Sequence, residues 1–160
     1  MLQNDQALLT RLKDAGLQFV VVGGVSVVFH GAPVATFDLD ICCPFGEENV
    51  RRIESAIRDL HPVHRMTPNK VPLETTRNQF ANFRNLYLQT DLGKLDCLGE
   101  IAGVGDFDAT LKQSVAANFS YGQFRMLNID ALIASKTALG REKDLEAVRL
   151  LRAIREKTEQ

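Results

Sequence analysis

VATFDLDICC, residues 34–43, sets two aspartates inside a short apolar stretch. Strands disfavour Asp, yet Phe37, Leu39, Ile41, Cys42 and Cys43 around the pair read as a core strand. Side chains alternate across a strand, which puts Phe37, Leu39, Ile41 and Cys43 on one face and Asp38, Asp40 and Cys42 on the other. One face is apolar; the other carries paired carboxylates. With Cα atoms roughly 6 to 7 Å apart, the two side chains can converge on one or two cations and repel each other without them.

Outward from this strand, helical and strand patterns alternate. Residues 3–15 place Leu8, Leu9, Leu12 and Ala15 at helical spacing, and Gly16 closes that helix before LQFVVV (17–22) begins a buried strand. Gly23 and Gly24 end the strand, and the short apolar segment after them is stopped by Gly31 and Pro33. PFGEENVRRIESAIRDL (44–60) reads as an amphipathic helix, with Val50, Ile53, Ile57 and Leu60 on one side and Glu47 and Glu48 in its first turn. Residues 61–79 hold three prolines and no clean period, which predicts a long loop. Arg65, Lys70 and Arg77 make it basic, either a flap over an acceptor or an unstructured insertion. NFRNLYLQTDLGKLDCLGEI (82–101) reads as two strands joined around TDLG, and VAANFSYGQFRML (115–127) as a second pair turning at Tyr121 and Gly122. Two helices follow at about 129–139 and 141–157, hinged at Gly140, and EKTEQ at the end is expected to fray. The alternation predicts an α/β fold, with a single domain over 1–160 made of a core at about 3–128 and a C-terminal helical pair at about 129–157.

With 45% hydrophobic and 24% charged residues, the 160-residue chain can bury a core of ordinary size. A formal net charge of −1 excludes a molecule that attracts nucleic acid or anionic membrane as a whole, though not a local basic patch. No apolar run is long enough for a membrane span, and the mixed-charge N-terminus is unlike a signal peptide, so a cytoplasmic location is expected. Cys42, Cys43 and Cys97 form no CxxC pair; buried free thiols are expected and a zinc site is not. Neither GGVSVVFHG nor GEIAGVGDF gives GxGxxG, and there is no GxxxxGK[ST], which disfavours a dinucleotide-binding domain and simple ATP hydrolysis.

The diglycine and the aspartates belong together. A glycine pair at a strand-to-helix turn lets backbone N–H groups approach a phosphate, and the carboxylates follow on the next strand. VVVGGVSVVFHGAPVATFDLDI (20–41) resembles the signature of the polymerase-beta-like nucleotidyltransferase superfamily: a strand ending in GG or GS, about ten residues, then DxD or DxE, with a frequent Thr, here Thr36, two residues before the first Asp. LGKLDCLGEIAGVGDFDATL and MLNIDALIASKTALGREKDLEAVRLL look like the small bacterial branch that includes abortive-infection and toxin-antitoxin proteins, so the resemblance covers most of residues 17–151.

That resemblance implies a nucleotidyltransferase fold, a mixed central sheet flanked by helices. It also implies transfer of a nucleoside monophosphate from a nucleoside triphosphate to an acceptor hydroxyl on an RNA end, a protein or a small molecule. By position, Asp38 and Asp40 would hold two Mg²⁺ ions, and Asp96 would be the third carboxylate, helping one metal activate the acceptor. Asp91 and Glu100 are its substitutes, and an exposed Asp in the TDLGKLD hairpin is the plainer reading of Asp96. Gly23, Gly24 and Ser26 would meet phosphate, although a serine there is more often a helix cap. A toxin-antitoxin partner protein is a further implication. One departure matters: many relatives carry arginine where this chain has Val34.

The last two helices add a reading of their own. Lys136 falls between Leu132 and Ile133 inside the apolar arc, and Lys143 and Asp144 project over the arc of Ala147, Val148, Leu150, Leu151 and Ile154. Either Lys136 and Lys143 meet triphosphate oxygens with Asp144 orienting one of them, or Lys136 and Asp144 form a structural ion pair. His30 reads as packing, and His61 and His64 as loop residues rather than metal ligands. The competing function is a non-catalytic, antitoxin-like protein-binding module on the same fold. Retention of all three aspartates and the inward lysine argues against it.

Overall fold

The computed structural model describes residues 3–159. Its helices are α1 (Asp5–Asp14), α2 (Gly23–Phe29), α3 (Glu47–Ile57), α4 (Phe107–Lys112), α5 (Ile129–Leu139) and α6 (Glu142–Glu159). Its strands are β1 (Val20–Val22), β2 (Asp38–Cys42), β3 (Val63–His64), β4 (Asn85–Thr90), β5 (Gly93–Leu98), β6 (Glu100–Ile101), β7 (Gly105–Asp106), β8 (Ser114–Phe119) and β9 (Gly122–Leu127). Seven strands form one mixed sheet in the order β3-β4-β5-β2-β1-β9-β8, and β6 and β7 form a separate ribbon. β2 runs parallel to β5 and β1 parallel to β9, whereas β1 and β2 are antiparallel. The expected α/β architecture with a mixed sheet flanked by helices is the one observed.

Both faces of the sheet are covered, but unequally. Leu39 and Ile41 of β2, Leu95 and Cys97 of β5, and Leu86 and Leu88 of β4 are buried with Leu8, Leu9 and Leu12 of α1 and Val50, Ile53 and Ile57 of α3. Fully burying each such side chain contributes about 1.5–3 kcal/mol. Local signals place the two helices: the Asn4 side chain accepts the Ala7 N–H to cap α1, and Glu47–Arg51 and Glu48–Arg52 pair one turn apart along α3. On the opposite face, Val20, Val22, Cys42 and Leu127 pack with Val27 of α2, Phe107 of α4, Leu132 of α5 and Val148 and Leu151 of α6. This second layer lies over β1 and β9, and the carboxylate-bearing parts of β2 and β5 stay accessible beside it.

Three expectations need correcting. Phe37 is 74% exposed, because β2 begins only at Asp38 and the alternation does not reach back to it. Residues 61–79 are not a long loop: β3 pairs with β4, the His64 N–H donates to the Val71 carbonyl at 2.9 Å, and a short 3-10 segment, Leu73–Gln79, packs Leu73 into the core. Arg77 of that segment is spoken for by the buried Glu54 of α3, with Nε 2.9 Å from Oε2. Finally, α6 continues through Glu159 instead of fraying at 156; Gln160 lies outside the described residues.

All three cysteines are free and buried, as expected. Burial pushes the Cys42 thiol up to about 11 and Cys43 to about 12, and raises Cys97 as well, so they act as small apolar fillers.

Candidate active site

Strand register assembles the carboxylates. Asp40 of β2 lies beside Asp96 of the parallel strand β5 and beside Val22 of the antiparallel strand β1, and Tyr87 of β4 extends the row past Asp96. Asp38 is two residues back along β2, on the same face. One oxygen from each of Asp38, Asp40 and Asp96 lies within 4.8 Å of the others. Asp96 is thus the third member of the cluster. Asp91 instead pairs with His61 at 2.6 Å, and Glu100 is exposed on the rim.

Because β1 ends at Val22, its turn arrives next to Asp40. Gly23 has a φ of +67°, and a Cβ there would land against Oδ2 of Asp40. A Cβ on Gly24 would sit 2.9 Å from Thr36 Oγ1, which donates to the Asp38 carbonyl at 3.1 Å. Both glycines therefore let the β1–α2 turn press against the start of β2. Ser26, expected to meet phosphate, is instead fully buried, and its hydroxyl donates at 3.1 Å to the Leu127 carbonyl, which His30 Nε2 also meets at 2.8 Å. It pins α2 to β9 and faces away from the cleft.

That cleft encloses about 1020 Å³. Its floor is the carboxylate row, and α5 and α6 supply one wall. Lys136 points inward, 15% exposed, with Nζ 3.5 Å from Oδ1 of Asp144, which is itself only 1% exposed. Asp144 also receives Arg141 Nε at 2.6 Å and the Arg141 backbone N–H at 3.2 Å at the start of α6. Burial disfavours the Asp144 charge, but these hydrogen bonds and Lys136 outweigh it and hold the carboxyl below its ordinary range. Of the two readings of Lys136, the alternative one, an ion pair with Asp144, is present. Lys143 departs from the expected arc and is exposed on the rim of the cleft. Arg141 is the cation that sequence reasoning passed over, although it stands two residues before Lys143. Val34 lines the cleft and packs against the second core, so no positive charge stands at that position.

The opposite wall carries one residue of the basic segment, in a pairing that the sequence did not indicate. Arg65, just past β3, makes a two-pronged pair with Asp96: Nη1 meets Oδ1, and Nη2 meets Oδ2 at 2.8 Å. Its Nη2 is also 4.0 Å from Oδ2 of Asp38, and its guanidinium lies 5.6 Å from the centroid of the Tyr87 ring. The other residues of the basic segment do not join it. His64 meets the Thr76 hydroxyl at 2.8 Å and its ring lies 5.4 Å from that of Phe83 in a tilted arrangement, while His61 meets Asp91.

Asp40 carries the electrostatic cost of this crowding. Burial first, then the charges of Asp96 and Asp38 and a hydrogen bond to Asp96, push its carboxyl up to about 7 despite Lys136. A folded-state pKa above the unfolded one means that the folded chain binds the extra proton. The stabilisation is therefore complete below about 4 and is lost as pH rises to about 7. We expect the metal-free protein to lose on the order of 1–3 kcal/mol between pH 5 and 8 relative to Asp40→Asn, after screening by the open cleft. Urea denaturation of both proteins across that range checks it; parallel pH profiles would refute the shift.

The cluster fits a magnesium site. Its ligands are carboxylate oxygens without a soft donor, and three carboxylates meet within 4.8 Å of one another, with Arg65 paired to Asp96 and at the edge of reach of Asp38. Asp38, Asp40 and Asp96 would hold the ions.

By sequence, the chain matches no family model and no curated protein. Solved structures match its fold. A candidate nucleotidyltransferase from Thermotoga maritima is 21% identical, with a TM-score of 0.57 over 89% of this chain and 86% of that one. ANT(2″)-Ia in complex with adenylyl-2″-tobramycin is 14% identical, with a TM-score of 0.56 over 90% and 83%. An antigenic nucleotidyltransferase-like protein from Paracoccidioides brasiliensis is 11% identical, with a TM-score of 0.55 over 96% and 77%. Its fold is therefore the one seen in nucleotidyltransferases.

Proposed function

We propose that the chain is a magnesium-dependent nucleotidyltransferase that moves a nucleoside monophosphate from a nucleoside triphosphate, ATP or another, to an acceptor hydroxyl. The observation that carries this reading is the convergence of Asp38, Asp40 and Asp96 on the cleft floor beside the Gly23–Gly24 turn. Bound magnesium would neutralise the leaving pyrophosphate and make the acceptor hydroxyl more acidic. The protein does the rest by placement. Lys136 and Arg141 offer positive charge to the triphosphate from the α5–α6 wall, and Lys143 offers it from the rim. Asp144 is a positioning residue, since it holds both Lys136 and Arg141 at the turn between those helices.

The acceptor is an RNA end, a protein or a small molecule. The adenylylated tobramycin in ANT(2″)-Ia supports a small molecule, while the resemblance to toxin-antitoxin relatives supports RNA or protein and a partner protein. The pairing of Arg65 with Asp96 favours one other reading, the non-catalytic binding module, because the chain there offsets part of its own negative charge. The deciding experiment incubates the protein with Mg²⁺ and each nucleoside triphosphate labelled at the α-phosphate. Cell RNA, cell protein and an aminoglycoside panel serve as separate acceptors. Label is expected in one acceptor class and none with EDTA. No label anywhere, together with melting temperatures that Mg²⁺ and nucleotide leave unchanged, would establish the binding module instead.

A further inference from the structure

Arg65 stands where a cation bound to Asp96 would have to act. Both oxygens of Asp96 accept its fork, Asp38 is at the edge of its reach, and its side chain is only 17% exposed. The backbone beneath it is fixed, because the Arg65 N–H donates to the Tyr87 carbonyl at 3.0 Å and β3 pairs with β4 on that edge. The side chain alone can move. A guanidinium and a divalent cation on the same carboxylate repel each other and compete for the same oxygens. Asp40, by contrast, forms no ion pair with Arg65, whose charge reaches it only at longer range, alongside those of Lys136 and Arg141.

We infer that Arg65 is a resident counter-cation of the triad: it occupies Asp96 in the ion-free protein and must withdraw before a divalent ion can bind there. Cation binding is consequently unequal and stepwise. The Asp38–Asp40 side fills first, and the Asp96 side fills later and more weakly, at the cost of the arginine pair. Arg65 is thereby a positioning residue that ties completion of the site to its own release. The inference rests on the metal-dependent reading of the site.

The test is titration of Mn²⁺, as a probe for the hard-cation site, into metal-free wild type, Arg65→Gln and Arg65→Lys, with bound ion counted by electron paramagnetic resonance. Wild type is expected to take one ion tightly and a second at least tenfold more weakly. In Arg65→Gln the second site tightens at least tenfold. In Arg65→Lys, which loses the fork but keeps the charge, it tightens about threefold, and this variant carries the test if the glutamine protein does not fold. Melting supplies an independent readout: without ion Arg65→Gln melts below wild type, and Mn²⁺ raises its melting temperature by more than it raises that of wild type. A purely structural arginine would lower both curves equally. Identical stoichiometry and affinities in all three proteins overturn the inference and leave the proposed activity standing. No Mn²⁺ binding by any of them overturns both.

Discussion

Asp40→Asn is expected to yield a more stable protein with almost no transferase activity. The substitution keeps the shape of the side chain and removes one of three crowded negative charges, at the position whose carboxyl is already pushed up to about 7. Like charges about 4 Å apart at an effective dielectric near 20 repel by roughly 4 kcal/mol, and solvent in the open cleft reduces this, so a gain of about 1–2 kcal/mol at neutral pH without metal is expected. Transfer should fall by at least about a thousandfold, since the group acts on the charge that develops during reaction. Opposite signs for stability and activity mark a group kept for function. Melting in EDTA and labelled transfer in Mg²⁺ read the two quantities separately. A variant that melts lower and still transfers label would remove Asp40 from the metal set.

Gly23→Ala has the largest expected effect on the fold. An L-residue at a φ of +67° costs about 1–2 kcal/mol, and the new methyl would also collide with the Asp40 carboxylate across the turn. Asp40 cannot easily retreat, because β2 is held on both sides by β1 and β5. The total loss is expected at about 2–4 kcal/mol by urea denaturation, with transfer impaired through the displaced carboxylate. Gly24→Ala is the milder comparison: its φ is not positive, and the group it meets is the Thr36 hydroxyl. Equal stability of the Gly23 and Gly24 variants would show that the turn relaxes and that the contact with Asp40 is loose.

How much of this was legible depended on whether the signal was local. Period-two alternation in DLDIC identified the carboxylate face of β2, and helical spacing identified α3, α5 and α6. The inward placement of Lys136 followed from its position between Leu132 and Ile133. Asp96 is different. Its own hairpin made it look exposed, and only its register beside Asp40 on a parallel strand makes it buried and convergent. The pairing of Arg65 stayed hidden because β3, directly after Pro62, is two residues long, too short for any periodicity to register. The exposed Phe37 and the buried Ser26 were misread for a related reason. Where a strand begins, and which carbonyl a hydroxyl meets 101 residues away, are set by tertiary packing.

The sheet order has a consequence for synthesis. β1 lies between β2 and β9, so one edge of its valine run has no neighbour until residues 122–127 are made. At about 5–20 residues per second, translation leaves that edge bare for roughly 5–20 s. That bare edge is a template for self-association during the interval, and the cleft lacks one wall until α5 and α6 emerge and dock.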